Sequence, residues 1–577
     1  MLKRPVVPAV IIKPVTAAHP LRESLAKDIN GPGFVADLLL QRGIEEKEQA
    51  REFFLAALGQ SQSPPECDAG PAMLGMDKAL ALLLAAHKNG EKVIVHGDYD
   101  VDGVTATALL YQGLKACGFN AEWFLPNRFQ EGYGISYASV GKLHERGAKW
   151  LLSVDTGIAA VDEVAKAKEL GLGVIITDHH QASGALPPAD AILNPNQPGC
   201  GYPNKGLSGV GVAYKLLNAL TLAIRGETAE RFLDLLALGS LADNVPLVGE
   251  NRRLVKAGLK RLATAPNLGL KALMERVGVE RARVSSGEIL FKVTPMLNAM
   301  GRMGSPEISA RLLLSETEEE AMGYLDQMVG ENNRRRKLDQ GITEHAVRMI
   351  DGDPALTESG CLVVDSPEWH EGVIGIVAAR LVERYHRPSF VLAVDAEKGL
   401  AKGSGRTMTG FNLYKALGGA AHLLEKWGGH YHACGLTIKA ENIPAFRDLM
   451  NAAAAEHLAG NDFVPRIAPA VEIGLDELNE SGMQWLQRFE PFGPLNESPL
   501  FYSEGVALLS QAKVVGDKHL KFTVGRPGAS FDAIGFNLGY LREYVLERSR
   551  LEKMAYYPEW NTFRGERKIQ LRVVAIE

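Results

Sequence analysis

Val93-Ile-Val-His-Gly-Asp-Tyr-Asp-Val-Asp-Gly-Val-Thr-Ala-Thr107 decides the reading of this chain. Val93–Val95 are β-branched and apolar, as a buried strand requires. His96, Asp98, Asp100 and Asp102 then place four ligand-type side chains within seven residues. Gly103 opens a helical run over 104–114, with Leu109 and Leu110 on one side. Strand, acidic turn and helix make the βα half of a doubly wound unit, and open α/β sheets bind ligands at the carboxyl ends of their strands. Three carboxylates packed so closely repel one another, and only cations or raised pKa values relieve them. A calcium EF-hand loop also begins Asp-x-Asp-x-Asp-Gly. It demands a Glu at its twelfth position, where counting from Asp98 gives Leu109, and a helix rather than a strand before it.

The 577 residues suffice for about three domains, each with its own core. Apolar residues at 46% and charged residues at 23% are ordinary for a soluble globular protein. Cys67, Cys117, Cys200, Cys361 and Cys434 show neither CxxC nor regular spacing, which predicts reduced thiols in the cytoplasm rather than a disulfide frame or zinc finger. No signal peptide and no run of membrane-spanning length is expected. A formal charge of −6 confines any nucleic-acid binding to local patches.

Working outward, residues 1–70 read as a Pro-rich extension with a short helix around 45–57, expected to dock on the first domain. From 71 to 315 helices and strands alternate, the pattern of a parallel sheet. Three apolar runs in it end in ligand-type residues: the Asp98–Asp102 turn, Asp155 after Trp150–Val154, and Asp178-His179-His180 after Val174–Thr177. One such run means little, but three put their side chains along one sheet edge. Asp243 ends a further apolar run, Phe232–Ala242, where a helix cap is the simpler reading. A long polar helix is expected over 316–352 as a connector, then a second α/β domain over 353–462 with Gly-rich loops at Lys402–Thr407 and Trp427–Gly435. Period-two runs at 512–515, 520–524 and 569–575 predict a small β-barrel over 463–577.

Carboxylates mixed with imidazole suit Mn²⁺ or Mg²⁺, and a shared carboxylate can bridge two ions about 3.5–4 Å apart to activate water for phosphoester hydrolysis. Asp155, alone on its strand, is the natural bridge. Asp100 and Asp102 suit different ions, with His179 and Asp243 completing one site. Asp178 suits the orienting of an imidazole, leaving His180 for the phosphate or the leaving oxygen. Lys402-Gly-Ser-Gly-Arg406 reads as a phosphate nest or as a plain tight turn. Arg128 and Tyr133, after a parallel strand, suit a phosphate and a stacked base. The run Arg334–Lys337 reads equally as a solvated helix face.

Together, Gly97–Gly103, Pro126–Gly134, Val154–Gly157, Thr177–His180, Ser208–Ala213, Ala237–Asp243, Leu297–Arg302, Ser366–Gly375, Lys402–Arg406 and Gly428–His430 resemble the DHH phosphoesterase superfamily, named for Asp178-His179-His180. Within it they are similar to single-strand-specific 5′→3′ exodeoxyribonucleases of DNA repair and recombination. The resemblance implies a DHH domain, a connecting helix, a DHH-associated domain and an OB-fold. It implies two ions, Mn²⁺ or Mg²⁺, at Asp100, Asp102, Asp155, His179 and Asp243, with Asp98, Asp178 and His180 in the catalytic group. Arg128, Ser404 and Arg406 would hold the 5′ phosphate, Tyr133 would stack on a base, and Arg302 and His430 would touch the nucleic acid. His96 departs from many such exonucleases, which carry an apolar residue there. The related inorganic pyrophosphatases place a His four residues before the equivalent of Asp100, so His96 is expected as an added ligand. Asn333, followed by a run of Arg, departs from the usual Asn-Gln-Thr-Arg. Single-strand-binding protein and a RecQ-type helicase are the protein partners this resemblance implies, for a monomer with no membrane contact.

Overall fold

The computed structural model describes residues 10–11, 19–55, 72–127, 131–132, 134–182, 184–264, 266–458, 463–516, 518–526, 529–563 and 566–577. Their backbone contacts divide the chain into two compact units, one of residues 42–332 with 485–498 and one of residues 1–41, 333–484 and 499–577.

In the first unit, β1 (Val93–His96), β2 (Ala121–Phe124), β3 (Trp150–Val154), β4 (Gly173–Thr177) and β5 (Ala191–Leu193) form a sheet in the order β2-β1-β3-β4-β5. Every pairing is parallel. Such strands are buried on both faces, so they read as near-continuous apolar runs. One face packs on α1 (Val101–Ala116), α2 (Gly209–Arg225) and α3 (Leu233–Ala242) in a large core that includes Val93, Val95, Leu109 and Leu217. The other carries Ile94, Leu151 and Ile176 against Val140, Leu143 and Val164. The strand order changes direction between β1 and β3, and ligands bind at such a switch point. The acidic turn after β1 and Asp155 after β3 both lie there.

The expected elements of this unit stand within a few residues, except at α1. It begins at Val101, ahead of the expected start, because Asp100 caps it by accepting a hydrogen bond from Gly103 N at 3.0 Å. Gly103 therefore lies inside the helix. A Cβ there would come within 2.6–2.8 Å of the Asp98 backbone. Further on, α4 (Gly249–Thr264) packs on α3, and α5 (Thr294–Met303) follows a five-residue π-helix, Ile289–Val293.

A single helix, α6 (Glu318–Gly352), contains the division between residues 332 and 333. In the second unit β6 (Leu362–Ser366), α7 (Ile374–Tyr385), β7 (Ser389–Asp395), β8 (Leu400–Arg406), β9 (Leu424–Gly429) and β10 (Ala433–Lys439) build a mixed sheet, β9-β10-β8-β7-β6. The two expected Gly-rich loops are thus strands joined in one antiparallel ladder. The glycines serve close packing. A Cβ on Gly405 would lie 2.6 Å from Cys434 Sγ and from Phe390, and one on Gly403 would lie 2.9 Å from Leu436.

The final sheet runs β11 (Val471–Glu472), β12 (Phe501–Leu508), β16 (Arg550–Phe563), β17 (Glu566–Ile576), β15 (Ala529–Gly535), β14 (His519–Arg526), β13 (Lys513–Val515). A pairing of β12 with β14 closes it into the expected barrel. The N-terminal extension does not dock as one piece. Val10–Ile11 pairs with Arg466–Ile467, and Phe34 meets Phe501 edge-on, so residues up to 41 belong with the barrel's unit. Lys47–Leu55 belongs to the first unit, where Phe53 and Phe54 pack on Phe489. Aromatic burial outweighs chain order here.

Candidate active site

Strand ends at the switch point bring the expected side chains together. Among the described residues three groups have ligand atoms within 4.8 Å of one another: Asp98, Asp100 and Asp155; Asp102, His179 and Asp243; and Asp155, His179 and His180. Asp155 is shared by two of them. It sits at the end of β3 with φ of 59°, a left-handed conformation that an Asp tolerates but does not prefer. Its amide hydrogen-bonds Thr177 O at 3.0 Å, which fixes the turn against β4.

His179 Nε2 lies 3.1 Å from Asp155 Oδ1, 3.7 Å from Asp243 Oδ2 and 3.9 Å from Asp102 Oδ2. The Leu207 carbonyl holds its ring. Burial, and then the neighbouring His180 charge, push His179 down to about 4, so it is a neutral imidazole. Burial and the mutual repulsion of the carboxylates push Asp98, Asp102 and Asp155 well above the ordinary range, and Asp243 to about 7. Asp98 Oδ1, Asp155 Oδ1 and His179 Nε2 are buried with no hydrogen-bond partner. Buried acids, unpaired lone pairs and a neutral imidazole on one centre fit hard divalent cations, which alone would satisfy them all.

His180 has a different environment. Its Nδ1 is 2.7 Å from Asp178 Oδ1, and its side chain is 45% exposed. Burial by itself would lower its pKa, but that bond and the charges of Asp178, Asp243 and Asp100 raise it to about 9. Asp178 is fixed in turn by the amides of His179, His180 and Ile158, at 2.7, 3.1 and 2.9 Å. Burial would raise the Asp178 pKa, yet these bonds and His180 hold it below the ordinary range.

Three kinds of support were not anticipated from the sequence. The amides of Gly209 and Val210, at the N-terminus of α2, donate to both oxygens of Asp102 at 2.7 and 2.8 Å. This end of a helix favours negative charge and leaves the carboxylate oriented toward His179. Asn194 and Asn196 hold the carbonyls of His180 and His179 at 2.9 and 2.6 Å. Gly209 also lets α2 approach Asp155, since a Cβ there would overlap that carboxylate. Ser208-Gly-Val-Gly211 was the available signal, a small-residue run following the cap of a helix.

His96 belongs to none of the three groups; it is the last residue of β1, fully buried, with its ring 5.2 Å from that of Phe124 on β2. Burial lowers its pKa to about 4. Arg302, half-buried near the end of α5, follows Gly301, whose missing Cβ admits the Tyr99 carbonyl of the acidic turn. Arg128 and Tyr133 lie outside the described residues.

In the second unit Ser404 and Arg406 share one face of β8, with Arg406 Nη1 3.1 Å from Ser404 Oγ. A Cβ on Gly375, in the first turn of α7, would lie 3.1 Å from Ser404 Oγ and from Arg406 Nη2. The expected backbone nest is absent there, because the amides of a ladder strand are already paired. A hydroxyl, a guanidinium and the first turn of α7 meet at this place instead. His430 is exposed at the turn between β9 and β10, where its amide donates to Ala433 O.

A doubly wound sheet with carboxylates and a neutral imidazole converging at its switch point, and a charged His–Asp pair beside them, defines a metal-dependent phosphoesterase of the DHH class. The DHH family N-terminal domain matches residues 92–240, the DHHA1 domain 358–456 and the RecJ OB domain 470–575. The chain belongs to the RecJ family. It is 37% identical over 557 residues to the single-stranded-DNA-specific exonuclease RecJ of Bacillus subtilis, covering 96% of this chain and 69% of that one. The Haemophilus influenzae RecJ is 35% identical over 527 residues, covering 88% and 91%. A crystal structure of Thermus thermophilus RecJ in complex with Mn²⁺ superposes with a TM-score of 0.81 at 29% identity, covering all of this chain and 80% of that one.

Proposed function

We infer that this chain is a divalent-metal-dependent exonuclease that degrades single-stranded DNA from the 5′ end, releasing 5′-mononucleotides in DNA repair and recombination. The observation that carries the reading is Asp155, shared between a group with Asp98 and Asp100 and a group with His179, which itself joins Asp102 and Asp243. Such an arrangement suits two ions, Mn²⁺ or Mg²⁺, with Asp155 between them. Ions bound there would supply a water of lowered pKa and neutralise charge on the phosphoryl oxygens.

The chain's own residues do the rest. Asp100, Asp102, Asp155, His179 and Asp243 would hold the ions, with His96 as an added ligand, and Asp98, grouped with Asp100 and Asp155, belongs to the catalytic group. The amides of α2 keep Asp102 oriented and offset part of the cost of its charge. Asp178 keeps His180 protonated, so its ring attracts the scissile phosphate and carries a proton for the leaving 3′ oxygen. Arg128, Ser404 and Arg406 read the terminal phosphate, Tyr133 stacks on a base, and Arg302 and His430 contact the nucleic acid. Single-strand-binding protein and a RecQ-type helicase are the expected partners, and the cytoplasm is the expected setting for a monomer. Among the described residues no helix is long and apolar enough to cross a membrane.

Single strands labelled at the 5′ or at the 3′ end, digested with and without Mn²⁺, test this reading. Immediate release of the 5′ label as mononucleotide, abolished by EDTA, is expected. Release of the 3′ label first, or digestion that persists in EDTA, would overturn it.

A further inference from the structure

Helix α4 opens on Gly249-Glu250-Asn251, and the Glu250 and Asn251 side chains are almost wholly buried. Glu250 pairs with Lys215 of α2, itself 8% exposed. The Tyr202 hydroxyl donates to both carboxylate oxygens, at 2.9 and 3.0 Å, and Asn204 Nδ2 donates to Glu250 Oε2 at 3.1 Å. Asn251 accepts from the same Asn204 amide at 2.8 Å, and its own Nδ2 donates to Gly206 O at 2.6 Å and Pro246 O at 3.0 Å. A buried ion pair is a poor source of stability, since desolvating two charges offsets most of their attraction. Four polar side chains assembled around one carboxylate call for another role.

That role follows from what the two tied loops carry. Residues 202–206 run directly into Leu207, whose carbonyl holds the His179 ring, and then into Gly209 and Val210, whose amides hold Asp102. The loop through Pro246 begins immediately after Asp243. Asn251 ties the carbonyls of Gly206 and Pro246, and a Cβ on Gly206 would lie only 3.1 Å from Pro246, so the loops form one support. Lys215 lies on α2, so the ion pair anchors the helix whose first turn meets both Asp102 and Asp155.

We propose that Glu250, with Lys215, Tyr202, Asn204 and Asn251, is a buried clamp that positions Asp102, His179 and Asp243 for metal binding. These are positioning residues, since none of them belongs to the ligand groups. The proposal rests on the reading of that centre as a metal site. Partners behind a ligand shell typically change metal affinity about ten- to a hundredfold when removed.

The test uses the full chain and Mn²⁺ alone, with free Mn²⁺ counted by electron paramagnetic resonance. The double variant Lys215→Met with Glu250→Gln removes the pair without stranding a buried charge. It should bind Mn²⁺ about tenfold more weakly than the parent, and its nuclease rate should fall at low Mn²⁺ and recover at high Mn²⁺. Tyr202→Phe removes one oxygen and keeps the fold, and it should shift the titration about threefold, the effect of one hydrogen bond. Lowered melting temperatures with Mn²⁺ titrations that superimpose on the parent's would make the cluster purely structural and overturn the clamp. If the double variant does not fold, the Tyr202→Phe titration decides alone. A parent chain that binds no Mn²⁺ would instead overturn the metal-site reading itself, and the clamp with it.

Discussion

Asp155 carries more constraints than any other residue of the site. It is buried, left-handed in φ, shared between two ligand groups and pressed by the first turn of α2. Asn tolerates the same backbone conformation but neither carries the charge nor bridges cations. Asp155→Asn should lower single-strand digestion more than about a hundredfold, the ~3 kcal/mol expected when a shared metal ligand is lost. In EDTA the variant should melt higher than the parent, because one member of a repelling cluster is gone. Near-normal turnover would remove Asp155 from the catalytic group. Arg406 makes a separate prediction. A terminal phosphate carries more charge than an internal diester, and a guanidinium set against a hydroxyl and a helix N-terminus distinguishes them. Arg406→Ala should slow single-turnover digestion of 5′-phosphorylated strands about ten- to a hundredfold, from roughly 1.5–3 kcal/mol for one charged hydrogen bond, and hardly slow that of 5′-hydroxyl strands. Equal slowing of both would reduce Arg406 to a general backbone contact.

At the scale of the element, the N-terminus of α2 acts as part of the site. Its amides hold Asp102, and its glycines bring the helix end close enough to do so. Gly209→Ala would insert a methyl into the space of the Asp155 carboxylate. Either that side chain or the helix end must move. Circular dichroism should be unchanged, since Ala suits a helix better than Gly by ~1 kcal/mol, yet Mn²⁺ affinity should fall at least about tenfold. An unaltered metal titration would mean that α2 can retreat without disturbing its neighbours.

The whole molecule inherits the charge balance of this centre. In the metal-free chain Asp98, Asp102, Asp155 and Asp243 have folded pKa values above those of the unfolded chain, and so does His180 at about 9. Between pH 8.5 and 6.5 the folded state therefore binds more protons, and stability falls as pH rises, by about 1.4 kcal/mol per pH unit for each extra proton. Below pH 6.5 His96 and His179, both held neutral to about 4, work in the opposite sense. Thermal melts in EDTA should thus rise on acidification from pH 8.5 to 6.5. Saturating Mn²⁺ should abolish or reverse that slope, because metal binding releases the protons. A flat EDTA profile would mean that the acids are ionised and solvated without metal.

The sequence by itself determined the parallel sheet, the acids and histidines gathered at its strand ends and the barrel near the C-terminus. Apolar runs of strand length that stop at Asp or His carry that information locally, and period-two alternation does the same for the barrel. Asp243 was ambiguous as a residue, and the structure gives it both places: it is the C-cap of α3 and its carboxylate lies 3.7 Å from His179. His96 sits among the acids in sequence, and in the fold it is buried beside Phe124, outside the three groups. Lys402–Arg406 looked like a loop because glycine reads as flexibility, whereas here it makes room for Phe390 and Cys434 in a strand. Only the tertiary structure could decide which amides hold Asp102, which carbonyl orients His179 and where the N-terminal segments pack. Those contacts join residues far apart in the chain, and no local pattern encodes them.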